Sequence, residues 1–452
     1  MRKILLGIFG GLLAVCANAA QVANLDYVHK LIAQKWDISV PIRADNPMQV
    51  ANMKYLLTAI DVANEILNGE PTTNYGNGEF ATLHAADTVA TIQAVDTLVR
   101  KIDKGPEFTL TTIDDTDSFS FSISAAGKFY VDWGDGKRQT ITKPDTTDTT
   151  YSHTYNTSKS YTIKLTGQAT AYNTSASTAA ISFYVNSAQK KIASIDGSLG
   201  AIFGTLADGT QPRFYSTFFS ATNMTGSIPS DLFAGISGAP AERMFDSTFD
   251  GCSGLTGAIP DGLFGNLTGA PASYMFSNTF NGCSGLTSIP SDLFAGISGA
   301  PAMYMFSQTF EDCSGLTGAI PSDLFAGISG APASYMFIDT FSGCSGLTSI
   351  PDGLFGNLSG APASYMFYRT FYGCSGLTSI PENLFGNISG TAQSYMFFHT
   401  FYSCTSLTGP SARINGQYLY EIWPNATTYY VGDMYYKATG LSDYSNIPSA
   451  WK

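Results

Sequence analysis

Six cysteines share one phase of the chain: Cys252, Cys283, Cys313, Cys344, Cys374 and Cys404 recur every 30 or 31 residues. An even set of thiols in an exported protein suggests disulfides or a zinc site. Zinc needs convergent ligands, and one side chain per repeat gives a ladder that diverges. A disulfide needs Cβ atoms about 3.8 Å apart and turned toward each other. Stacked coils instead hold parallel Cβ vectors about 4.8 Å apart. Ala221 takes the same position in the first unit, so a small apolar group suffices there. The expectation is six buried free thiols. Other reactive groups are no better assembled: His29, His84, His153 and His399 are scattered over three regions. No GxSxG, HExxH, CxxC or Walker sequence occurs. The pairs Asp114-Asp115 and Glu311-Asp312 sit where loops and helix ends explain them. The chain reads as non-enzymatic, with no cofactor and no metal.

The elements that place the thiols follow from the repeat. The motif Thr-Phe-x-x-Cys-x-x-Leu-Thr-x-Ile-Pro brings its phenylalanine to Phe218, Phe249, Phe280, Phe310, Phe341, Phe371 and Phe401. Within one unit, Leu286 to Ile289 reads as a short strand closed by Pro290. Residues 291–297 read as a helical turn capped by Ser291 or Asp292. Pro301 then opens a helix over 302–310. The pairs Glu311-Asp312, Asn281-Gly282, Ser342-Gly343 and Tyr372-Gly373 suit a left-handed terminator. At 100° per residue, Ala302, Met305, Phe306, Thr309 and Phe310 share an arc of about 140°. Positions 303, 304, 307, 308 and 311 fill the opposite arc, and all but 304 vary freely between units. A unit cannot bury its apolar arc alone, so the units must stack.

The spacing Phe-x-x-Cys-x-x-Leu-x-x-Ile-Pro resembles the BspA-like leucine-rich repeats of bacterial surface proteins, over residues 192–452. The unit is longer than is usual there, with the excess in the Phe-Ala-Gly-Ile-Ser-Gly-Ala-Pro segment. The resemblance implies an α/β leucine-rich-repeat solenoid of about eight rungs over 189–452. Residues 192–218 and 434–448 would be its degenerate caps.

Residues 107–188 carry period-two segments, among them Phe119-Ser-Phe-Ser-Ile123 and Tyr161-Thr-Ile-Lys-Leu165. The turn Val131-Asp132-Trp133-Gly134-Asp135-Gly136 and the later His153-Thr-Tyr155 resemble a PKD domain. That resemblance implies an all-β, immunoglobulin-like sandwich serving as spacer or presenting module. The glycine usual before Tyr161 is replaced by Ser158-Lys159-Ser160. Asp132 and Asp135 read as turn-forming carboxylates in preference to calcium ligands.

Residues 20–106 form a helical segment with stretches at 22–36, 48–68 and 86–102. Val50, Met53, Leu57, Ile60 and Leu67 make a short heptad pattern with Asn64 in a polar slot. This pattern suits an intramolecular bundle or a homo-oligomerising stalk through 48–68. Ahead of it, residues 1–19 read as a signal peptide: Arg2 and Lys3, an apolar run, and Ala17-Asn18-Ala19. Its removal takes the formal charge from −12 to −14, which does not suit nucleic acid. No second run is long and apolar enough to span a membrane. A secreted or cell-surface protein is expected.

Down successive units the solvent arc changes character. It is polar and acidic from Asp246 and Asp250 to Glu311, then aromatic. Tyr368, Arg369, Tyr372, Phe398, His399 and Tyr402 should form one patch. The patch suits a protein or carbohydrate partner at a surface, unless segments 418–423 and 429–436 fold over it as a cap. Adhesion is the leading function. The alternatives are a purely structural surface protein and an accessory module of a secreted hydrolase system.

Overall fold

Alternation of apolar and polar residues builds the first part of the structure, a computed structural model that describes residues 107–452. The expected signal peptide, the three expected helical stretches and the 48–68 heptad pattern lie outside the described residues. Eight strands follow: β1 (Glu107–Thr112), β2 (Ser118–Ile123), β3 (Ala126–Asp132), β4 (Arg138–Lys143), β5 (Thr149–Thr154), β6 (Thr162–Ala171), β7 (Ile181–Ser182) and β8 (Ile192–Gly197). They make two antiparallel sheets, β4-β3-β6-β1-β8 and β5-β2-β7. Phe108, Phe121, Phe129, Val131, Ile163 and Leu165 are buried between them.

The turn chemistry fits the sequence reading. Asp132 accepts the Gly134 N–H and Asp135 the Lys137 N–H, while their second oxygens take Arg138 and His153. The Tyr161 hydroxyl donates to the Thr157 carbonyl four residues upstream.

The expected boundary at 188/189 falls one strand before the first sheet ends. β8, which the repeat pattern assigns to the first unit, closes the sandwich sheet against β1. From there the core continues without a break: Phe183 stacks on Phe218 at 5.3 Å, and the Thr225 N–H donates to the Ala193 carbonyl.

Beyond β8 the chain winds in coils joined in parallel. Leu286–Ser288 pairs with Gly257–Ala258, Gly318–Ala319 with Leu347–Ser349, and Ser359–Gly360 with Asn387–Ile388. Phe218, Phe249, Phe280, Phe310, Phe341, Phe371, Phe401 and finally Tyr435 stack in one buried column. This column counts eight coils among the described residues, numbered 1 to 8 below. Leu286, Ile289, Met305, Phe306 and Phe310 are buried. Each such side chain contributes about 1.5–3 kcal/mol by leaving water.

The helical part of the expectation is corrected. Residues 302–310 form no helix; they are a ribbon of overlapping turns. The N–H groups of Met305, Ser307, Thr309 and Glu311 each bond three residues back. Those of Tyr304, Phe306, Gln308, Phe310 and Asp312 instead donate to the next coil, at Ser334, Met336, Ile338, Thr340 and Ser342. Every fourth residue is left-handed, with φ 57° at Tyr304, 54° at Gln308 and 55° at Asp312. Asp312 is thus the third in a series and ends no helix. The segment 291–297 is likewise a run of three turns, closed by the Leu293, Ala295 and Ile297 N–H groups, and the Asp292 Oδ1 has no hydrogen-bond partner. Among the described residues the α-helices are the short Leu419–Ile422 and Thr428–Val431.

The ribbon wins because it satisfies every second amide across coils, which a helix cannot do. Threonine reinforces it: the buried Thr309 hydroxyl donates to the Phe276 carbonyl one coil back at 2.9 Å, and Thr340 and Thr370 do the same.

Candidate functional surface

A period of four sends side chains inward in pairs, with the intervening positions turned outward, although Ser307 and its equivalents Asp246 and Ser277 remain buried. Met305, Phe306, Thr309, Phe310 and Cys313 point in; Tyr304, Gln308, Glu311 and Asp312 point out. Because each coil repeats the pattern, the outward residues line up in columns along the stack.

The cysteine column is structural. Each of the six sulfurs is buried and free, and each thiol donates to a phenylalanine carbonyl of the preceding coil at 2.9–3.1 Å. Burial pushes all six thiols well above their ordinary pKa. A protonated, inaccessible thiol is neither nucleophile nor ligand. Among the described residues no three His, Cys, Asp or Glu side chains are placed to hold a metal ion.

The outer columns carry the six candidate residues, and the structure brings all six together. Tyr368 stacks on Phe398 at 5.5 Å and Tyr372 on Tyr402 at 4.9 Å. The His399 ring lies 4.7 Å from Tyr402 and 3.9 Å from Phe398. Arg369 covers the Tyr372 ring at 4.3 Å and pairs with Asp339 at 3.3 Å. None of the six is buried; all are half-exposed. Burial, with the Arg369 charge, lowers the His399 pKa, while Asp433 at 3.6 Å works against that shift.

The C-terminal segment does not fold over this patch. It adds an eighth coil on the end: Tyr395, Phe397, His399 and Phe401 donate to Tyr429, Tyr430, Gly432 and Met434. Tyr436 extends the Tyr372–Tyr402 column at 4.6 Å and stays 39% exposed. Trp423 caps the interior instead, against Phe397.

Sequence reasoning missed a second column beside the patch. Tyr274, Tyr304, Tyr335, Tyr365 and Tyr395 stack at 4.5, 4.4, 4.6 and 4.8 Å. The Arg243 guanidinium covers the first ring at 4.1 Å. Burial and the neighbouring phenols push the Tyr304 hydroxyl up to about 12. The one signal was that position 304 is fixed on an arc otherwise free to vary.

Toward the sandwich the same face is acidic. Burial, then the charges of Asp246 and Glu311, raises Asp250 to about 6. Burial and Glu311 raise Asp339 to about 7 against the pull of Arg369. Carboxylates thus gather in coils 2 to 5, Asp246 and Asp339 buried and paired with Arg243 and Arg369, while Tyr368, Tyr372, Phe398 and Tyr402 gather in coils 6 and 7. No known protein family, curated protein or solved structure matches this chain.

Proposed function

We propose that the chain is an exported, surface-displayed binding module without catalytic activity. Its coil stack is read as a BspA-like leucine-rich-repeat solenoid, and its sandwich as a PKD-like module that presents the stack. The ligand is a protein or carbohydrate partner held on the ring-rich end of the outer face. One observation carries this reading: half-buried aromatic side chains run as columns, Tyr368–Phe398 over coils 6 and 7 and Tyr372–Tyr402–Tyr436 over coils 6 to 8, and stay open to solvent in part. Contiguous exposed aromatics of this kind mark contact surfaces. Flat rings beside Arg369 suit both sugars and protein chains.

The test uses the mature chain and its Tyr368→Ser/Tyr372→Ser variant on a glycan array and on immobilised extracellular-matrix proteins. Binding should be lost in the variant. Melting should fall only modestly, since each lost ring pair is worth about 0.5–1.5 kcal/mol. Undiminished binding by the variant, or no binding by the wild type on either panel, would overturn the reading.

A further inference from the structure

Phenol rings stand in one unbroken line along the outer face. Tyr274, Tyr304, Tyr335, Tyr365 and Tyr395 stack at 4.4–4.8 Å between centroids, with ring planes within 27° of one another. Tyr429 of coil 8 continues the line at 4.9 Å from Tyr395.

Inside the coils the stacked columns are phenylalanine; on this face every rung carries an oxidisable group. A phenol yields an electron from its ring and a proton from its oxygen far more readily than a phenylalanine ring yields an electron. Rings with their π-faces in contact pass an electron from one to the next. The proton has a short path as well, since the Tyr335 hydroxyl lies within hydrogen-bonding reach of the Tyr304 hydroxyl. An oxidised rung can therefore recover both particles from its neighbour, and the deficit moves along the ladder.

The two ends of the line differ. Arg243 covers the Tyr274 ring, and the interior rungs are half-buried. At Tyr304, burial and the neighbouring phenols hold the proton on the hydroxyl. Tyr429 is 50% exposed, so water can take its proton, and the Ser394 hydroxyl donates to its oxygen at 2.9 Å. A donor in that place stabilises the phenoxyl oxygen once the proton has left. An oxidising equivalent that enters on any rung comes to rest at Tyr429.

We propose that the tyrosine ladder is a one-electron relay and that Tyr429 is its coupling site, where a phenol becomes covalently attached. The oxidant is of the haem-peroxidase class. Hydrogen peroxide takes one electron and one proton from each of two phenols, a ladder tyrosine and the incoming molecule, and leaves as two waters. The two phenoxyls join through ring carbons beside their oxygens. The hydrogen on each joined carbon moves to its oxygen, which restores both phenols around a new carbon–carbon bond.

Treating the folded chain with a haem peroxidase, hydrogen peroxide and biotinylated tyramide tests this, with labelled positions read by peptide mass spectrometry. Tyr130 and Tyr184 lie off the ladder at 45% and 53% exposed, so they report what exposure alone gives. Tyr429 should carry several times the label of either. Changing Tyr274, Tyr304, Tyr335, Tyr365 and Tyr395 together to phenylalanine keeps rings in the stack and removes the relay. In that variant, shown by its melting curve to be folded, Tyr429 should fall to the level of Tyr130 and Tyr184. Should it melt early, Tyr395→Phe alone breaks the last link and is read in the same way. Wild-type label no heavier on Tyr429 than on Tyr130 and Tyr184 would overturn the relay without recourse to any variant. Label on Tyr429 that survives the phenylalanine substitutions undiminished would overturn it equally.

Discussion

Replacing Gln308 by glycine and, separately, by alanine separates the turn ribbon from a helix by the sign of one number. Both substitutions remove the Gln308–Glu311 hydrogen bond of 2.6 Å, so their difference reports the backbone alone. In the ribbon Gln308 sits at φ 54°. An L side chain there costs about 1–2 kcal/mol, and glycine loses about 0.5–1 kcal/mol more chain entropy on folding. The Gln308→Gly variant should therefore exceed Gln308→Ala in stability by roughly 0.5–1 kcal/mol. In the middle of a helix alanine is better than glycine by about 0.8–1.0 kcal/mol. The two backbones thus differ by about 1.5–2 kcal/mol with opposite sign. Urea unfolding of the mature chain reads this directly, provided the slope is common to both variants. Hydrogen exchange at the Gln308 amide, which donates to Ile338 in the next coil, localises the effect. An alanine variant more stable than the glycine variant would refute the ribbon.

Two further outcomes follow from the buried groups. A thiol reagent should label native protein slowly and then count six thiols per mature chain on denaturation without reductant; a smaller count would place a disulfide in the column. Stability should be higher at pH 5 than at pH 8, by differential scanning calorimetry. Asp250 and Asp339, raised to about 6 and about 7 from an ordinary 3.8, bind more protons folded than unfolded, so stability falls as pH rises from about 4 through 7. His399, shifted down by burial, opposes this below its ordinary range, one imidazole against two carboxylates. A melting temperature higher at pH 8 would contradict the environments described for both carboxylates.

The inward residues were legible because 3.6 and 4.0 are close periods. Over the eight steps from 302 to 310 a helix drifts only about 80° from a four-residue repeat. Either period therefore puts Met305, Phe306, Thr309 and Phe310 on one side, and their burial follows whichever backbone is drawn. What separated the two was written at the outward positions. Asn278, Asp339 and His399 at position 308, and the glycines at position 312, belong to types that enter the left-handed region readily. Two such positions four residues apart are a turn signature, and one alone passes for a helix end. β8 was hidden differently: its buried Ile192 and Ile195 are three residues apart, an odd step absorbed by a register shift at Thr111/Thr112, and antiparallel pairing with β1 is long-range and leaves no local mark. The aromatic patch was readable because it depends only on which residues recur at one phase.

Tyrosine in the left-handed region has no such signal, because no local preference favours it; its reason is the neighbouring coil. Each of Tyr274, Tyr304, Tyr335, Tyr365 and Tyr395 lies at φ 54–62°, at about 1–2 kcal/mol apiece. A stacked pair returns about 0.5–1.5 kcal/mol and is shared by two rings, so stacking offsets part of the strain of an interior ring and half as much at an end. Both ends are treated accordingly. At the first, Arg243 lies over Tyr274 and supplies the missing contact. At the last, Tyr429 sits in the short Thr428–Val431 helix instead of the left-handed region, tilts 56° against Tyr395, and is 50% exposed. The ladder therefore exists only as a property of successive coils, in the nearest-neighbour manner of repeat proteins. Rings fixed in this way have little rotamer freedom left to lose, so a partner that docks on them meets a surface already ordered for binding.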